Sequence, residues 1–194
     1  MLYLFGYQFK DSVKANPELV RFIDECKPQA HVMENVWLLD SSDLPFNLQR
    51  QLKEYVGVDD EFYLVDVSKS IVAWSGLEGE IADFIERFTE PVEQDVSRRL
   101  LTIASDGPVD LEQLGNLADS KPRPLLANLW QVETTTTPEQ VVTALRGSLA
   151  EGGRLLVADV SLAPAAWSHL PEDSAYAAVA YTRTEQGSDQ VQEF

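Results

Sequence analysis

Hydrophobic positions along the chain follow two alternating periods, one of strands and one of helices. Leu2 to Phe9 is a β-rich run full of aromatics, and behind Asn16, a candidate cap, the segment Pro17 to Cys26 places Leu19, Val20, Phe22 and Ile23 at helical spacing. A short extended stretch near His31 to Met33 and a stronger strand from Val36 to Asp40 flank Glu34 and Asn35, the pattern of a tight hairpin. Pro45 then opens a helix with Leu48, Leu52 and Val56 on one face. From Glu61 to Val67, Phe62, Leu64 and Asp66 alternate with Tyr63, Val65 and Val67. The predicted order is β-α-β-β-α-β.

The same order returns further along. Strands are predicted over Leu100 to Ser105, Arg123 to Ala127, Leu129 to Thr134 and Arg154 to Val160, with helices near Leu111 to Ala118 and from Pro138 to Leu149. Thr134 to Thr137 reads as a turn that caps the second of these helices. Asn35-Val36-Trp37-Leu38-Leu39 has its counterpart in Asn128-Leu129-Trp130-Gln131-Val132, at an offset of 93 residues. Without a gap, that offset also matches Pro45 to Pro138, Leu52 to Leu145, Asp66-Val67-Ser68 to Asp159-Val160-Ser161, and Ala73-Trp74-Ser75 to Ala166-Trp167-Ser168. All 4 tryptophans fall into two matched pairs, which points to tandem duplication of one unit.

The expected architecture is therefore α+β: two tandem split-βαβ, ferredoxin-like units forming an intrachain pseudo-dimer. Its parts are a first unit over 1–77, a connecting helix within 78–97, a second unit over 98–183 and a polar tail over 184–194. Ile81, Phe84, Ile85 and Phe88 share a face of the connecting helix, so it should pack rather than swing. Short apolar segments close each unit, Ile71 to Trp74 and Pro164 to Trp167, and Tyr176 to Arg183 offers a last strand. A four-stranded sheet with helices on one face leaves the other bare, and the units are expected to cover each other there, face to face or joined at the edges by their terminal strands. Trp37, Trp74, Trp130 and Trp167 are candidates for that core or interface.

Charge changes the picture more than composition does. With 32 acidic and 15 basic residues the net charge is −17, which opposes nucleic acid and favours a basic protein partner. The first apolar run is too short for a membrane span or a signal-peptide core. One cysteine, Cys26, permits neither an internal disulfide nor a thiolate zinc site, and a cytoplasmic location fits. His31 and His169 are not matched by the duplication and form no metal-ligand spacing. No phosphate-cradling glycine loop is present, Gly152-Gly153 reads as a turn, and Arg98, Arg99, Lys121 and Arg123 form at most a small cationic patch.

Phe5-Gly6-Tyr7 at the end of the first strand, His31 ahead of Asn35-Val36-Trp37-Leu38-Leu39-Asp40, Asp59-Asp60-Glu61-Phe62-Tyr63-Leu64-Val65-Asp66-Val67, and Ala73-Trp74 together resemble the SinR family, close in fold to the CRISPR-associated Cas-two endonucleases. The resemblance spans Leu2 to Leu77 and, more weakly, Leu100 to Leu170. It implies a ferredoxin-like fold whose members pair through their sheets, and relatives that include metal-dependent nucleases and an antitoxin that cuts messenger RNA. The nuclease members carry an Asp at the end of the first strand, where two copies meet and hold a divalent cation. Aligning Leu2 with Leu100 puts Gln8 there in the first unit and Asp106 in the second.

Two functions are compatible with these residues. One is a non-catalytic interaction module of prokaryotic toxin–antitoxin or defence type, a monomer or further homodimer, binding a basic protein and needing no cofactor. The other is an endonuclease on RNA or DNA using Mg²⁺ or Mn²⁺, with Asp106 as catalytic and metal-binding carboxylate and Asp66 and Asp159 in support. The bland expectation for these carboxylates is turn formation through backbone N–H groups. A third function, that of a DNA-mimic inhibitor whose carboxylates occupy a nucleic-acid-binding protein, would need carboxylates in a row at duplex-like spacing.

Overall fold

The computed structural model describes residues 1–9, 17–57, 59–92 and 97–168. The predicted last strand from Tyr176, the polar tail, His169 and the Asn16 cap lie outside the described residues. Within them the chain is α+β, with ten strands in two antiparallel sheets and five helices. The first half runs β1 Leu2–Gln8, α1 Pro17–Glu25, β2 Gln29–Met33, β3 Val36–Asp40, α2 Pro45–Tyr55, β4 Glu61–Asp66 and β5 Val72–Ser75. After α3, Gly79–Phe88, come β6 Arg99–Ser105, α4 Leu111–Leu117, β7 Arg123–Leu126, β8 Leu129–Thr134, α5 Pro138–Leu145, β9 Leu155–Asp159 and β10 Ala165–Ser168.

Local chemistry explains the helix boundaries. Thr137 and Gln140 form a reciprocal capping box ahead of Pro138, and the Asp110 carboxylate accepts from the N–H groups of Glu112 and Gln113, both at 3.0 Å, to start α4. Helix α5 stops at Leu145, four residues short of the expected Leu149, as the chain enters Arg146-Gly147-Ser148. No helix among the described residues is long and apolar enough to cross a membrane.

Strand order is β10-β4-β1-β3-β2 in sheet A and β5-β9-β6-β8-β7 in sheet B. The two sheets therefore share one internal order, and each is completed by a strand from the other half of the chain. Trp74 of β5 pairs with Leu156 of β9, and Trp167 of β10 pairs with Tyr63 of β4. These registers are equivalent under the 93-residue offset. So is a bulge in the hairpins, between His31 and Met33 and between Pro124 and Leu126. With Leu2 aligned to Leu100, Tyr3 opposite Asp66 likewise matches Leu101 opposite Asp159.

Alternation along each strand divides the apolar residues among three cores. Leu2, Leu4, Tyr63 and Val65 meet Leu100, Ala104, Leu129 and Leu156 between the sheets, closed at one side by Ile85 of α3. Tyr3, Phe5, Phe62 and Leu64 point the other way, under α1 and α2. Leu101, Ile103, Leu155 and Val157 do the same under α4 and α5. A Cβ at Gly6 would lie 3.1 Å and 3.2 Å from side-chain carbons of Leu129 and Leu126, so the absent side chain lets the β7–β8 hairpin come close to β1. Trp74 packs against the core between the sheets, whereas Trp37 and Trp130 pack on the outer, helix-covered faces. The Trp167 side chain lies outside the described part of the chain.

Candidate functional site

The duplicated Asp-Val-Ser triplets form matching staples. Asp66 accepts from the Ser68 amide at 2.9 Å and hydroxyl at 2.6 Å, and the Ser68 hydroxyl oxygen accepts from the Leu2 amide at 2.7 Å. In the second half Asp159 accepts from the Ser161 amide at 3.1 Å and hydroxyl at 2.6 Å, and Ser161 accepts from the Leu100 amide at 2.9 Å. Each carboxylate thus holds the end of one strand onto the start of its neighbour, the role an Asx turn serves. Asp159, itself buried, also binds the guanidinium of the partly buried Arg99. By register, the Arg99 position in the first half is Met1, whose ammonium instead reaches Asp40 at 3.1 Å.

At the end of the first strand of each unit the two residues have different tasks. Gln8 accepts through Oε1 from the Ala127 amide at 3.0 Å, tying β1 to the turn between β7 and β8. Asp106 is ion-paired with the guanidinium of Arg154, which follows the Gly152-Gly153 turn, where Gly152 has a φ of +77°. An amide bound to backbone and a carboxylate bound to arginine form no matched acidic pair. Among the described residues no group of three or more His, Cys, Asp or Glu side chains is placed to hold a metal ion.

Of the remaining candidates, His31 stacks on Trp37 with ring centroids 4.4 Å apart. Cys26 is buried, and burial pushes its thiol up to about 11, far from the range of a reactive thiolate. The arginines of the expected cationic patch have acidic neighbours: Arg98 with Asp119, Arg99 with Asp159 and Arg123 with Glu133. Lys121 makes no ion pair among the described residues.

The chain matches no family model, no curated protein and no solved structure. Its own surface is then the source of functional evidence, and two concavities stand out. One, of about 400 Å³, is bordered by Glu25, Cys26, Asp40, Ser41, Asp43 and Gln51. The other, an open groove of about 690 Å³ on the outer face of sheet B, is lined by Leu111, Gly115, Ala118, Lys121, Pro124 and Trp130. Neither is legible from motif spacing. The groove depends on small residues that leave space, which produce no sequence signal, and Arg154 as partner of Asp106 follows from strand register alone.

Proposed function

We propose that the chain is a non-catalytic interaction module, a fused pair of ferredoxin-like units acting as a pseudo-dimer, which binds a basic protein through its acidic surface. The element order β-α-β-β-α-β and the strand orders β4-β1-β3-β2 and β9-β6-β8-β7 support the ferredoxin-like description. The resemblance to the SinR family suggests a toxin–antitoxin or defence setting.

One observation carries this reading: every carboxylate proposed for catalysis already has a structural partner. Asp106 is held by Arg154, Asp159 by Arg99 and Ser161, and Asp66 by Ser68. A metal at Asp159 would have to displace those bonds, since Ser161 holds one of its carboxylate oxygens and Arg99 the other. The net charge of −17 meanwhile disfavours a phosphate backbone as substrate and steers basic surfaces inward.

The test combines two assays. Labelled RNA and DNA are incubated with the protein, with Asp106→Ala and with Asp159→Ala, in Mg²⁺ or Mn²⁺ and in EDTA. A lysine- and arginine-rich peptide and its acidic counterpart are titrated against the same preparations. Binding of the basic peptide alone, without cleavage, supports an interaction module. Metal-dependent cleavage lost in Asp106→Ala overturns it in favour of a nuclease.

A further inference from the structure

The duplication makes departures from symmetry informative, and two of them are complementary. At the start of α2, Leu44 is 61 % exposed and Phe46 69 % exposed, on either side of buried Pro45. The corresponding residues of the second half are Thr137, which caps α5, and Glu139, so this apolar knob exists in one half alone. The 690 Å³ groove lies in the second half. In the first half His31 covers Trp37, whereas Pro124 occupies that register position in the second half and Trp130 remains open to the groove. Leu111, 51 % exposed, extends the apolar lining.

Charge matches as well as shape. The knob directly follows Asp40-Ser41-Ser42-Asp43, while the groove is lined by Lys121 and by Asp119, whose charge Arg98 meets at 3.9 Å. An acidic, apolar projection suits an apolar channel whose Lys121 makes no ion pair among the described residues. The knob lies on the helix-covered outside of sheet A, where Leu48 and Leu52 of α2 enter the core, and the groove on the outside of sheet B, where Leu114 and Trp130 enter theirs. One molecule cannot fill its own groove.

We propose that the groove at Trp130 receives the Asp43-Leu44-Pro45-Phe46 knob of a second copy of this chain, giving head-to-tail self-association. The contact is heterologous: each copy offers a knob on one face and a groove on the other, so the assembly extends or closes into a ring. Screening over roughly 8 Å at physiological salt damps repulsion between whole acidic chains while leaving the close pairing of Asp43 with Lys121. This inference is independent of the basic-partner reading and survives its failure.

The full chain is examined by sedimentation velocity over a wide concentration range at physiological salt, beside Phe46→Ser, Gly115→Glu and Lys121→Glu. Phe46 is exposed, and a Cβ at Gly115 meets nothing within 4 Å, so both changes are compatible with the fold. Wild type should grow beyond dimers as concentration rises, and Phe46→Ser or Gly115→Glu should each weaken association by about tenfold or more. Mixing these two variants restores one knob and one groove, and should give a species capped at two chains. A wild-type monomer throughout, variants that associate like wild type, or a mixture that restores nothing would each overturn the proposal.

Discussion

The hydroxyl oxygens of Tyr63 and Thr102 lie 3.4 Å apart in the core between the two sheets, one residue from each half of the chain. The Gln131 amide stands beside them, fully buried, with neither its oxygen nor its nitrogen in a well-formed hydrogen bond. At the corresponding positions the other side of this core has Leu156, Leu4 and Leu38. The interface is therefore polar on one side and apolar on the other, a difference that no pairing of identical units could contain.

Gln131→Leu should stabilise the protein. It removes a buried amide with unmet hydrogen-bonding capacity and installs the residue already used at position 38, while Tyr63 keeps Thr102. A gain of about 1–3 kcal/mol is expected from urea unfolding, on the scale of one unsatisfied buried polar group. A loss of stability would mean that the amide is engaged more strongly than its geometry indicates.

Stability should fall at alkaline pH through Tyr63. Burial pushes its phenol from 10.0 up to about 12, with Thr102 and Gln131 pulling in the opposite direction. A folded-state pKa above the unfolded value gives stability that is whole below pH 10 and is lost as pH rises through about 12. The urea midpoint of wild type should decline more steeply across that interval than that of Tyr63→Phe. The difference should be on the order of 2–3 kcal/mol, and parallel profiles would refute it.

The two stapling aspartates should respond unequally to alanine. Asp66→Ala removes hydrogen bonds at a partly buried turn and should cost about 1 kcal/mol. Asp159→Ala also leaves Arg99, whose side chain is 14 % exposed, without its partner, and should cost about 3–5 kcal/mol. Comparable losses in chemical denaturation would show that the buried pair adds little.

Gly76 should tolerate no side chain. It follows β5 with a φ of +72°, and a Cβ there would lie 2.4 Å from the Gly153 carbonyl oxygen, a backbone atom with little freedom to retreat. Gly76→Ala should lower stability by more than about 2 kcal/mol, combining left-handed strain with that clash. Gly79→Ala, at a site with nothing within 4 Å of the added carbon, is the matched control and should be close to neutral.

Much of the architecture was visible in the pattern of residues. The 93-residue offset aligned strands whose registers prove equivalent, and the common face of Ile81, Phe84, Ile85 and Phe88 marked a packed α3. Local sequence does not decide which sheet β5 and β10 join, because Val72-Ala73-Trp74-Ser75 is a short apolar strand that fits either edge; pairing is decided by distant backbone, not local periodicity. The candidate carboxylates were legible as residues but not as environments. Asp106 and Arg154 are 48 positions apart, and only folding brings them together.

Strand exchange also imposes an order on biosynthesis. Sheet A acquires its edge strand only when residues 165 to 168 have left the ribosome, although β1 and β4 are made much earlier. Until then the outer edge of β4 presents unpaired backbone groups, the kind of surface to which stray strands add. A chain that stops before residue 165 would thus strip an edge strand from the first-made sheet rather than from the last.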